Sequence, residues 1–248
     1  MLSFNDIRFD YEPYPIGIAR DVLAPEVYRE LIETQPDDRL FVSKDNLGQK
    51  LSLSQLNNRA EYHAHLRSNP AWKRFYDYIK SQHFIDETMA MLKANGIDLG
   101  LGNLTLRDRL ALRLRAYKRG SPQPHFPKLR SRFEFSAMPV TGGNIRPHTD
   151  AVSKAVTMVI PMLREGEWRE EFGGGTSVVQ PKDRRRSFNQ VNNYMDFDEV
   201  ECLRTYPFRP NQCLVFVKTY NSWHAVWPMT GNDPKVLRRT LTINIETD

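Results

Sequence analysis

His148 and Asp150 stand two residues apart in the run Arg146-Pro147-His148-Thr149-Asp150, and a further imidazole follows in Asn221-Ser222-Trp223-His224. In an extended strand residues i and i+2 share a face, with Cα atoms about 6.5–7 Å apart, so one strand end can aim both groups at one ion. Pro147 removes an amide donor and stiffens the approach, as at a strand edge. With His224 brought in from a distant strand, two imidazoles and one carboxylate suit Fe(II) and leave its other positions open. A lone His-x-Asp also reads as a surface or turn pair, and a lone late histidine as a satisfied core residue. Order and context favour the metal.

Arg238 and Arg239 fall on the last strand-like segment and must face opposite sides of it. Arg238 shares its side with Thr240, Thr242 and Asn244, whereas Arg239 shares its side with Leu241, Ile243 and Ile245. The polar side suits a pocket, where a guanidinium pairs two-pronged with the carboxylate of an acidic co-substrate and stays charged when buried. Arg238 is therefore the expected carboxylate clamp.

These groups need a rigid frame. Pro25 opens an expected helix whose stripe is Val27, Tyr28, Leu31 and Ile32, after a short entry strand at 15–20. Asn69-Pro70 caps a second helix with Trp72, Phe75, Tyr76 and Ile79 on one face. A third runs from about His83 to Asn95, with Gly96 as its natural end. Residues 36–60 read as a loop with an irregular strand. Beyond about residue 105 the pattern changes to period two, beginning with Leu110, Leu112 and Leu114. Further strands are expected at 131–139, 146–150, 155–162, 176–180, 212–218, 222–227 and 237–245. The fold class expected is mainly β with flanking α-helices, a sandwich or barrel with the helices on its outside. One domain spans 1–248, with helical support over about 1–105 and a barrel core over about 106–248.

The chain has 248 residues, 40% hydrophobic and 26% charged, an ordinary globular composition. Cys202 and Cys213 are its two cysteines; they form no CxxC pair and no disulfide framework, which fits a reducing compartment and argues against a cysteine-bound zinc site. No apolar run is long enough for a signal core or a bilayer span, so a cytoplasmic location is expected. The net charge of +5 and isoelectric point near 9.2 allow an anionic ligand without demanding nucleic acid. Lys182 to Arg186 is the one dense basic run, read as a solvated loop rather than a phosphate or nucleic-acid patch.

In this order, the motifs resemble those of the Fe(II)/2-oxoglutarate-dependent dioxygenase superfamily, in particular its prolyl-hydroxylase-like branch. Ile145 to Asp150 is similar to that branch's "pHtD" strand, and Lys154 to Ile160 to the strand after it. Phe172-Gly173-Gly174-Gly175-Thr176 resembles the glycine-rich turn, Pro210 to Val226 the segment with the distal histidine, and Arg238 to Thr242 the co-substrate strand. The resemblance covers roughly residues 110–248. It implies a double-stranded β-helix, a jelly-roll or cupin-like barrel, with His148, Asp150 and His224 holding iron at one end. It also implies that 2-oxoglutarate chelates the metal and reaches a basic residue. The family's Arg-x-Ser/Thr pattern lands on Arg238 and Thr240. The implied reaction consumes O₂ and 2-oxoglutarate, releases succinate and CO₂, and hydroxylates an unactivated C–H bond, with ascorbate as an allowed accessory. The carboxylate of Asp150 favours hydroxylation over halogenation, because related halogenases lack it. The substrate is a small molecule, a sugar or a protein side chain, and an anionic one is compatible with the basic balance.

Other residues have plainer readings. His63 and His65 read as solvent-exposed, and His125 sits in a stiff loop, 121–127, that is either structural or a flap over the site. The polar insert at about 184–204, with Phe188, Tyr194 and Phe197, is a second segment that could shape substrate access. Trp223 reads as packing. A cupin-like metal- or ligand-binding protein is the alternative from another class, disfavoured by the late arginine on a polar strand face. Nucleic-acid dealkylation is disfavoured too, because no further arginine follows and no basic–aromatic surface is evident.

Overall fold

Asn69 caps its helix as expected, its side chain accepting hydrogen bonds from the amides of Ala71 (3.1 Å) and Trp72 (3.3 Å), with Pro70 in the first turn. The resulting helix, α3 (Pro70–Ile79), follows α1 (Pro25–Glu33) and α2 (Arg59–Ser68) and precedes α4 (Gln82–Ala94). Gly96, at φ +74°, closes α4 in the left-handed conformation that glycine adopts without strain, and the Ile97 amide returns to the Leu92 carbonyl at 2.9 Å. The computed structural model describes residues 1–44, 48–101, 106–122 and 127–247. The expected flap at 121–127, with His125, therefore falls largely outside the described residues.

The strands form two antiparallel sheets. Near the N-terminus lie β1 (Arg8–Asp10), β2 (Ile16–Ala19), β3 (Val42–Lys44) and β4 (Lys50–Ser54). The later ones are β5 (Leu129–Pro139), β6 (Ile145–His148), β7 (Lys154–Pro161), β8 (Thr176–Pro181), β9 (Val200–Tyr206), β10 (Cys213–Val217), β11 (His224–Val226) and β12 (Leu237–Thr247). The larger sheet runs β1-β2-β10-β7-β12-β5-β4-β3 and the smaller β6-β11-β8-β9. From β5 onward the chain passes repeatedly between the two sheets.

The larger sheet has two unlike faces. On one, Phe133, Leu241, Ile243, Met158 and Val215 join Trp72, Phe75, Ile79 and Phe84 of the helices in one buried cluster. Each such large side chain contributes about 1.5–3 kcal/mol by leaving water. The other face carries Glu134, Thr157, Arg238, Thr242 and Asn244, and the first four of these line a cavity described below. The alternation along β12 thus separates packing from polar groups.

Two expectations need correction, and a third is sharpened. Leu110 to Leu114 is not a strand but part of a helix, α5 (Leu106–Lys118). Its leucine, arginine and alanine content favours helix, and it holds no β-branched residue to favour a sheet. The strand expected within 36–60 is there as β4, which pairs with β5 from Leu51↔Ala137 to Ser54↔Glu134. The 184–204 insert ends in β9, which hydrogen-bonds β8 and completes the smaller sheet. In β4 Leu51 and Leu53 alternate with Lys50, Ser52 and Ser54, whereas the charges of β9, Glu201 and Arg204, fall at odd and even positions alike and show no such pattern.

Candidate active site

His148 and His224 are direct partners across the β6–β11 pair, which brings their ring centroids to 4.3 Å. Asp150 joins them differently from the pleat expected. Strand β6 stops at His148, and Asp150 sits beyond it at φ +70°, a left-handed conformation that aspartate tolerates better than most residues. The turn is strapped in place. Thr149 donates its amide to Asn192 Oδ1 and its hydroxyl to the Asn189 carbonyl, while Ser222 Oγ donates to the Thr149 carbonyl, each at 3.2 Å. The 184–204 insert therefore supports the site through Asn189 and Asn192.

The three side chains could hold one metal ion, since one ligand atom from each lies within 4.8 Å of the others. His148 Nδ1 lies 2.9 Å from the Arg146 carbonyl and His224 Nδ1 lies 2.9 Å from the Ser222 carbonyl. A carbonyl only accepts, so both Nδ1 atoms are donors and both Nε2 lone pairs are left for a ligand role. Those Nε2 atoms lie 3.6 and 3.9 Å from the Asp150 carboxylate oxygens. Burial, together with the neighbouring His148, pulls His224 down to about 3, so it is a neutral ligand at ordinary pH. Burial works against the charge of Asp150, but the Lys154 ammonium and the two histidines outweigh it and hold the carboxyl well below the usual range. Lys154 Nζ lies 2.6 Å from Asp150 Oδ1, and Thr157 Oγ1 donates to Oδ2 at 3.0 Å. Asn244 in turn lies 3.1 Å from the Thr157 hydroxyl.

Arg238 lines the same cavity and is buried, at 3% exposure. Its Nε donates to the Gly174 carbonyl at 2.6 Å and its guanidinium lies 4.4 Å from the centre of the Phe208 ring. Among the described residues no carboxylate pairs with it, and burial alone draws its acidity toward about 9. Gly174 is needed for this approach, because a Cβ there would stand 2.7 Å from Trp168 and 3.3 Å from Arg238. Thr242 lines the cavity beside Arg238; Thr240, although buried, is not among its lining residues. Arg239 points away and pairs with Asp38, one of its contacts being 2.8 Å.

Lys50, Glu134, Lys154 and Thr157 belong to the site although the sequence alone does not single them out, and Tyr194, from the 184–204 insert, joins them. Tyr194 stacks on His148, with ring centroids 5.2 Å apart and planes within 13°, and the Arg146 guanidinium lies 5.4 Å from the centre of the Tyr194 ring. The 184–204 segment had been marked for its aromatics, whereas Lys50 and Glu134 meet across 84 residues and leave no local signal. Trp223 is packing: it is buried and donates Nε1 to the Ser187 carbonyl at 2.8 Å.

In structure the chain resembles prolyl hydroxylases and other 2-oxoglutarate-dependent oxygenases. A prolyl-4-hydroxylase from Pseudomonas putida aligns over 96% of both chains at 14% identity, with a TM-score of 0.47. A prolyl hydroxylase from Trichoplax adhaerens, solved with a hypoxia-inducible-factor peptide, aligns over 93% of this chain and 83% of its own at 11% identity and TM-score 0.47. HygX from Streptomyces hygroscopicus, solved with nickel and 2-oxoglutarate, aligns over 93% and 82% at 9% identity and TM-score 0.46. No protein-family model and no curated protein sequence matches the chain. What the site can do therefore rests on the residues of this chain.

The remaining features have structural roles. Arg184, Arg185 and Arg186 each pair with an acid, Glu201, Asp183 and Glu199, so the basic run is a neutralised loop. His65 is half-buried rather than solvent-exposed. Its ring meets Trp72 and Phe135, and burial lowers its pKa. Among the described residues no helix is long and apolar enough to cross a membrane.

Proposed function

We propose that the chain is a single-domain, non-haem Fe(II)- and 2-oxoglutarate-dependent dioxygenase that hydroxylates an unactivated C–H bond and releases succinate and CO₂. The observation that carries this reading is the combination in one cavity of a His-Asp-His cluster and a buried guanidinium with no carboxylate partner among the described residues. A metal-binding protein without an acidic co-substrate has no use for such a cation, and its desolvation is unfavourable unless an anion compensates it. The same reading takes the two sheets, between which the chain alternates from β5 to β12, as a double-stranded β-helix.

The donor set fits Fe(II): two imidazole Nε2 atoms and one ionised carboxylate, with each imidazole fixed by a carbonyl behind it. His148, Asp150 and His224 would hold the metal, which together with 2-oxoglutarate and O₂ supplies the oxidising power. Lys154 and Thr157 keep Asp150 ionised and oriented. Arg238, braced by Gly174 and Phe208, pairs with the distal carboxylate of 2-oxoglutarate and so fixes the orientation of its keto acid end. Tyr194 covers His148 and limits water at that side. Fe(II)-dependent conversion of 2-oxoglutarate to succinate, followed with and without added substrates, tests the proposal. It is expected in the native chain and absent in Asp150→Ala; succinate formation equal in both would overturn it.

A further inference from the structure

A second charged pair faces the cavity. Lys50 Nζ contacts Glu134 Oε1, and Ser136 Oγ donates to the same carboxylate oxygen at 3.2 Å. Both partners line the cavity that holds the His-Asp-His cluster, and their side chains are 19% and 13% exposed. The turn that presents Lys50 is preset. Gly48 and Gln49 both have positive φ, +69° and +65°, and the Gly48 carbonyl accepts the Asn144 amide at 3.1 Å. A Cβ on Gly48 would stand 2.1 Å from the Asn144 carbonyl oxygen, so this turn admits little but glycine.

The charge count of the cavity narrows what can enter. Its charged lining residues are three cations, Lys50, Lys154 and Arg238, and two carboxylates, Glu134 and Asp150. A divalent metal and the 2-oxoglutarate dianion cancel each other, so a positive balance persists and favours a substrate with a carboxylate. A carboxylate alone, on taking Lys50, would leave Glu134 buried without its partner; an amine alone, on taking Glu134, would leave Lys50 so. Breaking a buried pair from one side is strongly unfavourable, whereas exchanging both partners at once conserves the pairing. Apart from these groups, His148 and His224, and the hydroxyls of Thr157, Thr176 and Thr242, the lining is apolar, with Ile145, Val159, Phe216, Ala225 and Val226.

Resting on the oxygenase reading above, we infer that the substrate is a free amino acid with an aliphatic side chain, its carboxylate on Lys50, its ammonium on Glu134 and its side chain along the apolar wall. Lys50 and Glu134 are then the specificity-determining residues.

Calorimetry tests this on the full chain loaded with Mn(II) and 2-oxoglutarate, so that binding is read without turnover. The probes are L-valine, L-leucine and L-isoleucine, with isoamylamine and 4-methylpentanoate as leucine analogues lacking one charged end. At least one amino acid is expected to bind. If that is leucine, each analogue binds about 10- to 100-fold more weakly, the loss of one charge-assisted contact; for valine or isoleucine the same comparison uses their own single-ended analogues. Glu134→Gln, which keeps shape and removes the charge, is expected to abolish the advantage of the amino acid over its deaminated analogue while leaving Mn(II) binding intact. Single-ended analogues binding as well as the amino acids would overturn the inference, as would no binding of any of the three to a chain that still binds 2-oxoglutarate. Failure of the native chain to bind 2-oxoglutarate would instead count against the oxygenase reading itself.

Discussion

On one face of β12, Ile243 and Leu241 are wholly buried against the helices, and Arg239 ends in an ion pair with Asp38. On the other, Arg238 is buried with no carboxylate partner among the described residues, and Asn244 supports Thr157 beside Asp150. The first face is satisfied by the protein alone, whereas the second holds a buried cation that the Gly174 carbonyl and the Phe208 ring contact but no described carboxylate neutralises. Two adjacent arginines show the contrast most simply, because their chemistry is the same and only their surroundings differ. Stability should therefore reside on the helix-facing side and ligand affinity on the cavity side, and substitutions can separate the two.

The largest effect is expected on the packed face. Ile243→Ala should lower the unfolding free energy by about 2–5 kcal/mol, read from the urea midpoint, while metal affinity in the folded protein stays unchanged. A loss of metal binding without a loss of stability would mean that the two faces are not separate.

An intermediate effect should appear in the metal-free protein as a pH dependence. His224 is held near 3 by burial and its neighbour His148, against about 6.5 in an unfolded chain. The unfolded state then binds a proton that the folded state refuses, so stability falls as pH drops from about 6.5 toward about 3. The slope reaches at most about 1.4 kcal/mol per pH unit. Asp150, whose folded pKa is depressed, adds its own loss only below about 4. His224→Gln should flatten the decline between about pH 6.5 and about pH 5 in urea titrations. An unchanged slope would show that the buried imidazole is not the group responsible.

The smallest effect belongs to Arg239→Ala. Its partner Asp38 is half-exposed, so the pair contributes about 1 kcal/mol or less. A small drop in stability is expected, with 2-oxoglutarate affinity as in the native chain.

Much of this arrangement was legible in the sequence because it depends on local periodicity. The alternation of Arg238, Thr240, Thr242 and Asn244 with Arg239, Leu241, Ile243 and Ile245 is visible in the chain and reappears as the two faces of β12. The helix starts at Pro25 and Asn69 were legible from capping chemistry. What escaped was non-local or ran against a pattern. Lys50 meets Glu134 only because β4 pairs with β5, across 84 residues, and no local pattern reveals that pairing. Leu110, Leu112 and Leu114 show the period of a strand, yet the residues between them are strong helix formers and the segment folds as α5. Asp150 reaches the histidines through a left-handed residue past the end of β6, a turn that two-residue spacing does not reveal.

The central claim is that Arg238 binds the distal carboxylate of 2-oxoglutarate in the cavity that holds the metal ligands. It is tested most directly by titrating the Mn(II)-loaded native chain and Arg238→Met with 2-oxoglutarate and with 2-oxopentanoate, which lacks that carboxylate. The native chain should prefer 2-oxoglutarate by about 10- to 100-fold, and Arg238→Met should bind the two acids alike. If Arg238→Met keeps the native preference, the distal carboxylate is bound elsewhere and the account of the cavity is wrong.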